Sequence, residues 1–216
     1  MDTKILKCLN QCKLFHNIAL ENVEYAVRNK TKGEAIYDTL SGTPSIGVIA
    51  KGIVSVRSLA YDGNTLLLTQ LKKGDCFGIC NLFASKPLPT YLECQNDVSI
   101  IYIAKDYFVQ LMQLHPLIAI KYATLCNEKI LFLNDRIEFT QINSCKDKII
   151  RYLLLNTDDQ GLCQLNYTKQ TLANLLGVSR SSLFRELANL QNQQLITINK
   201  KTIVIHDISA LEKISF

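Results

Sequence analysis

Tryptophan is absent from the 216 residues, and histidine occurs three times, as His16, His115 and His206. So few imidazoles weigh against histidine-rich metal chemistry. The lack of histidine from residue 17 to residue 114 also removes the ligands that a cupin-like metalloenzyme draws from paired strands. No stretch reaches the ~18 uninterrupted apolar residues that a membrane span needs, so no membrane partner is expected. Gly-x-Ser-x-Gly, P-loop and Rossmann fingerprints are missing as well, and the chain reads as a protein that is not an enzyme. Met1 to Lys7 shows no basic leader, long apolar run or small-residue cleavage site, which reads as a cytoplasmic chain. In that compartment the eight cysteines are expected to be reduced, not joined in a disulfide framework.

What is present is ordinary globular material: 48% hydrophobic and 20% charged residues, in a length that favours two compact units. The net charge of +5 is unevenly placed. Between Leu165 and His206, Lys169, Arg180, Arg185, Lys200 and Lys201 face only Glu186, a local excess of +4. A basic cluster of this kind points to a polyanionic partner, although a solvated basic face would have the same composition.

Along the chain, residues 1–30 read as short helices: Ile5, Leu6, Leu9 and Cys12 recur at helical spacing, and Leu20, Val23, Tyr25 and Val27 do so less cleanly. From Thr31 the texture changes to β-branched runs between glycines, with Ile46–Ile49, Ile53–Val56, Leu66–Thr69 and Val98–Ile103 strand-like. Tyr61-Asp62-Gly63-Asn64 carries the Asp-Gly pair of a tight hairpin turn. Together these predict an antiparallel barrel or sandwich. Pro116 fits a helical first turn, and no glycine or proline follows before about Thr140. Leu111, Ile118, Leu125, Phe132 and Phe139 form a seven-residue repeat, and Ile120, Ala123, Ile130, Leu133 and Ile137 a second apolar row. A helix with two apolar rows covers two surfaces: its own β domain and, most simply, the same helix of a second subunit.

The C-terminal stretch predicts a winged helix-turn-helix. Thr168 suits an N-cap, with Leu172, Ala173 and Leu176 on one face; Gly177 sits at the reversal; Ser179 caps a second helix with Leu183, Leu187 and Leu190 inside. Arg180, Ser181 and Arg185 then face outward, where arginine can donate twice to guanine and serine can meet either kind of base edge. Thr168, Lys169 and Gln170 start the first helix and would approach phosphates, as would Lys200 and Lys201 at the tip of a hairpin wing over Leu195–Ile205.

At these residues the chain resembles the Crp/Fnr transcription regulators. The β-roll pattern is matched by Lys32-Gly33-Glu34, Gly42, Gly52 to Val56, Asp62-Gly63, Leu71 and Gly74 to Gly78. The helix-turn-helix is matched by Leu175 to Arg185 and the wing by Lys201 to Val204. The resemblance implies an α+β protein with an N-terminal antiparallel β-roll of the cyclic-nucleotide-binding jelly-roll type, a dimerisation helix and a C-terminal winged helix-turn-helix. The expected divisions are an effector-sensing domain over 1–112, the helix over 113–141 and a DNA-binding domain over 142–216. The implied partners are double-stranded DNA with a palindromic operator, a second copy through residues 116–140, RNA polymerase and a small-molecule effector. Ser179, Arg180 and Arg185 match the family's recognition pattern, but Ser181 replaces its glutamate, which changes the expected half-site.

The family's cyclic-nucleotide binders use a glutamate after Phe-Gly and an arginine about ten residues later. Here those places fall to Ile79 and to Pro89 beside Thr90, and Lys86 to Thr90 reads as a rigid turn. A buried phosphate without a cationic partner is costly, so an effector other than cyclic AMP is expected. The effector pocket carried over from the resemblance comprises Phe77, Gly78, Ile79, Cys80, Thr90, Tyr91, Leu133 and Asn134. The cofactor is left open. An iron–sulfur site made from Cys8, Cys12, Cys76 and Cys80, a haem on His16 or His115, and a thiol switch among Cys76, Cys80 and Cys94 stand as alternatives to cysteines that simply pack as small apolar residues; Cys94 and Cys126 lie further on.

Overall fold

The computed structural model describes residues 3–20, 23–59, 65–165 and 167–214, without the side chains of residues 59, 136 and 140. The chain forms two compact units, Met1–Leu133 and Asn134–Phe216. The expected Asp62-Gly63 turn and part of the expected β-roll pattern lie outside the described residues.

The first unit begins with α1 (Thr3–Gln11). Then come β1 (Ala26–Lys30), β2 (Ala35–Ile36), β3 (Thr39–Leu40), β4 (Thr43–Lys51), β5 (Val54–Leu59), β6 (Thr65–Leu71), β7 (Cys76–Phe77), β8 (Thr90–Cys94) and β9 (Val98–Ala104), followed by α2 (Lys105–Leu114) and α3 (Pro116–Gln141). Among the described residues these strands make two antiparallel sheets, β1-β9-β4-β3 with β7 also on β4, and β2-β8-β5-β6. The helical reading of residues 1–30 is corrected at its end, where Ala26–Lys30 form a strand. Ala26 to Lys30 pair with β9, Ala26 opposite Tyr102 and Lys30 opposite Val98. The apolar spacing there was too loose for a helix, and a ready ladder partner decides for strand.

The run Ile100-Ile101-Tyr102-Ile103 shows why β9 reads as continuously apolar. Ile100 and Tyr102 enter the core between the two sheets with Ile49, Val54, Leu71, Phe77 and Leu92. Ile101 and Ile103 turn the other way, onto Leu9, Phe15, Phe108 and Ile118. A strand buried on both faces loses the polar alternation of a half-exposed one. Phe77 packs directly over Gly47: a Cβ there would lie 2.1 Å from Phe77 Cζ. Its ring meets Tyr102 edge-on, at 5.8 Å between centroids.

The seven-residue repeat divides between elements, because His115 separates α2 from α3. Leu111, Ile118 and Leu125 are buried in the first unit's helical core, each worth about 1.5–3 kcal/mol of burial. Phe139 packs with the second unit's core. The second row stays open: Ile120 and Ile130 are 63% and 64% exposed.

The second unit contains α4 (Cys145–Leu155), β10 (Leu162–Gln164), α5 (Lys169–Leu176), α6 (Arg180–Asn192), β11 (Ile196–Ile198), β12 (Thr202–Ile205) and α7 (Ile208–Ile214). Its strands pair in the order β10-β12-β11. Ile149, Ile150, Leu172, Leu183, Leu187, Ile203 and Leu211 share its core. No helix among the described residues is long and apolar enough to cross a membrane.

Candidate nucleic-acid interface and effector cavity

Local chemistry builds the helix pair. Thr168 Oγ1 accepts from the Thr171 backbone N–H at 3.1 Å and so starts α5. At its other end Gly177 adopts φ +63°, a conformation that disfavours any residue with a Cβ. The Gly177 N–H reaches the Asn174 carbonyl and the Val178 N–H the Ala173 carbonyl, at 3.3 and 3.0 Å. This double closure is the Schellman arrangement. Ser179 Oγ then accepts from the Ser182 N–H at 3.0 Å and starts α6. With Leu183, Leu187 and Leu190 buried, Arg180, Ser181 and Arg185 are exposed.

Each residue singled out from sequence has a definite environment. Ser179 is occupied as a cap and also shares a 2.9 Å hydroxyl contact with Ser181. Arg185 Nε lies 3.3 Å from Glu186 Oε1, whereas Arg180 is in no salt bridge among the described residues. Gln170 Nε2 donates to Asn174 Oδ1 at 3.2 Å. The Asn199 N–H donates to the Thr202 carbonyl at 2.8 Å and closes the hairpin, leaving Lys200 and Lys201 exposed at its tip. One residue on this face escaped the sequence reading. Phe184, 38% exposed, lies beneath Arg180 and beside Lys169. Its signal was available: it falls four residues after Arg180, on the same helical face.

In the first unit a cavity of about 120 Å³ is walled by β5 to β8 and α3. Of the residues carried over as an effector pocket, Phe77, Gly78, Ile79, Cys80, Thr90 and Leu133 line this cavity and Tyr91 and Asn134 do not. On β8 the side chains alternate, so Thr90 and Leu92 face the cavity while Tyr91 points away. Asn134 instead donates to Glu138 Oε1 one turn later, at 3.4 Å. Sequence reading missed Asp38, Leu68, Leu71, Lys129 and Phe132; for the strand leucines, period-two alternation was the available signal.

Two of the cavity's polar groups, Asp38 and Asn81, are engaged with each other. Asn81 donates to Asp38 Oδ2 at 2.6 Å and accepts the Leu88 N–H at 3.0 Å. This tethers Leu88, ahead of β8, to Asn81. Lys129 is the cation on the wall, 5.9 Å from the Phe132 centroid and in no salt bridge among the described residues. Ile79, where a glutamate was looked for, is buried in the helical core.

The cysteines do not assemble as the four-thiol alternative required. Cys8, Cys12 and Cys76 meet in the core behind α1, whereas Cys80 is exposed near Cys126. Cys12 accepts a hydrogen bond from Cys76, which holds the Cys12 thiol below its usual range and pushes Cys76 well above it. Cys94 lies by Glu34 and Lys30, so the switch imagined among Cys76, Cys80 and Cys94 is not brought together. Burial raises the Cys8, Cys80, Cys94 and Cys163 thiols. His16 Nδ1 donates to the Asn10 carbonyl at 2.9 Å. Among the described residues no group of three or more His, Cys, Asp or Glu side chains is placed to hold a metal ion.

A family model of the Crp-like helix-turn-helix domain matches residues 147–214, and one of the cyclic nucleotide-binding domain matches residues 27–115. The chain belongs to the Crp/Fnr family of transcription regulators. It is 27% identical over 166 residues to the cAMP-activated global transcriptional regulator CRP of Pasteurella multocida, covering 73% of this chain and 79% of that one. The cyclic AMP receptor protein of Thermus thermophilus is 23% identical over 209 residues, covering 94% and 96%. Among solved structures, a CooA mutant from Carboxydothermus hydrogenoformans has the same fold, with a TM-score of 0.72 at 17% identity over 100% of this chain and 97% of that one.

Proposed function

We propose that the chain is a homodimeric, sequence-specific DNA-binding regulator, and not an enzyme, whose first unit senses an effector other than cyclic AMP. The observation that carries the DNA reading is the outward face of α6. Arg180 and Arg185 stand exposed over a row of buried leucines, beside a wing with two lysines at its tip. In this reading Arg180, Ser181 and Arg185 meet base edges in the major groove, while Thr168, Lys169, Gln170, Lys200 and Lys201 hold the phosphates. Ser179 acts by starting the helix. The exposed row of α3, Ile120 and Ile130 included, joins two copies within residues 116–140 and spaces two recognition helices on a palindrome. The working divisions are 1–112, 113–141 and 142–216. The regulator acts in the cytoplasm with RNA polymerase as its further partner.

The relatives named for cyclic AMP supply the obvious alternative effector. Against it stands the chemistry of the cavity: Ile79 and Pro89 stand where the glutamate and arginine of the cyclic-nucleotide cassette would be, and Lys129 is the one cation among the described lining residues. The mostly hydrocarbon walls favour a largely apolar ligand over a cyclic phosphate. The test is selection of duplex DNA from a random library by the full chain. A defined palindrome is expected, and Arg180→Ala should lower affinity for it by at least about 30-fold, as loss of a bidentate base contact of about 1–3 kcal/mol in each half-site would. Enrichment of no sequence would overturn the reading.

A further inference from the structure

The face of α6 that is proposed to read DNA holds a small aromatic–cation cluster. Arg180 Cζ lies 5.3 Å from the centre of the Phe184 ring, and Lys169 Nζ, arriving from the first turn of α5, lies 5.0 Å from it. Neither cation is in a salt bridge among the described residues; Arg185, further along α6, is the arginine paired with Glu186. A lone exposed phenylalanine is commonplace on a protein surface. This one gathers two cations of the motif onto a single ring.

The arrangement has a clear physical effect. A guanidinium stacked on an aromatic face is held through its π surface, so its N–H donors stay in plane and remain available for bidentate bonding. A long side chain confined before binding loses less freedom when it binds. A polyanion at this face would meet both cations at once.

We propose that Phe184 is a positioning residue for DNA reading: its ring fixes the Arg180 guanidinium for a guanine edge and the Lys169 ammonium for the adjoining phosphate, joining both helices of the motif into one contact surface. This rests on the DNA-binding function proposed above.

The experiment uses the selected operator and the full-length chain carrying Phe184→Leu, Phe184→Tyr, Arg180→Ala, or Arg180→Ala combined with Phe184→Leu. Phe184→Leu keeps an apolar side chain but removes the aromatic face. It should weaken operator binding about five- to tenfold, the scale of one cation–π contact in each half-site, and reduce discrimination against replacement of the guanine that Arg180 reads. Phe184→Tyr should restore both. In the Arg180→Ala background, Phe184→Leu should cause no further loss of base discrimination, because it acts through Arg180. In the free protein, the Arg180 side-chain NMR signals should carry a ring-current shift that Leu abolishes and Tyr retains. Wild-type discrimination in Phe184→Leu, a fully additive double variant, or a Tyr variant as defective as Leu would each refute the platform while leaving the DNA reading intact. A wild-type chain that selects no sequence would overturn both together.

Discussion

On the outward face of α6 in the second unit, Arg180 and Lys169 are in no salt bridge among the described residues and are collected on an aromatic ring. Around the cavity of the first unit the walls are mostly hydrocarbon, Asn81 donates to Asp38, and Lys129 over the Phe132 ring is the one cation among the described lining residues. The difference teaches how each region announces a partner. A surface that meets a polyanion leaves charge unsatisfied, whereas a pocket for an apolar ligand leaves volume unfilled.

The sharpest way to test that division is to damage one core at a time. Phe108, fully buried against Phe15 and Tyr122 in the first unit, should lose about 3–5 kcal/mol on replacement by alanine. Leu183→Ala, at a fully buried site of the second unit, should cost about 2–5 kcal/mol. Calorimetry of each variant should show one transition lowered and the other held; lowering of both would dissolve the comparison. At the open row of α3, Ile130→Asp should halve the mass measured in solution, since it places a charge in the proposed dimer seam. An unchanged dimer would move that seam elsewhere.

Two glycines sharpen the contrast at smaller scale. Gly47→Ala forces a Cβ into the Phe77 ring and should cost about 1–3 kcal/mol by overpacking, while reshaping the cavity that Phe77 lines. Gly177→Ala meets no atom within 4 Å and suffers only its left-handed φ, a penalty of about 1 kcal/mol. A larger loss at Gly177 than at Gly47 would contradict this ordering. Smallest of all is an acid effect. Glu34 accepts from the Thr31 N–H and hydroxyl and from Lys30, which lowers its carboxyl to about 2. A depressed carboxyl stabilises the fold above its unfolded value, and that contribution fades as pH falls toward about 2. An NMR titration should find Glu34 still ionised at pH ~3; a midpoint near an ordinary glutamate would show that the turn is not formed.

The same contrast explains what could be read from sequence. The helix-turn-helix was legible because its determinants are local: Thr168, Gly177 and Ser179 each act on neighbours within a turn. The β-roll was legible as alternating runs and glycines. The cavity was only partly so, because its walls come from strands and a helix far apart in the chain, and Lys129 and Asp38 carry no mark of meeting there. Tyr91 was misplaced by taking adjacency along a strand for a shared face. Residues 26–30 became a strand because β9 was there to receive them, a fact that no local window contains.

The doubly buried β9 has a consequence for motion. Held by β1 on one side and β4 on the other, with alternate side chains committed to two cores, it has no edge and no wet face. Its central amides should be the last of the first unit to trade hydrogen for deuterium, and they should open only when that whole unit does. An effector entering the neighbouring cavity would thus deform the walls around β9 and leave that strand as the fixed frame against which the rest of the unit moves.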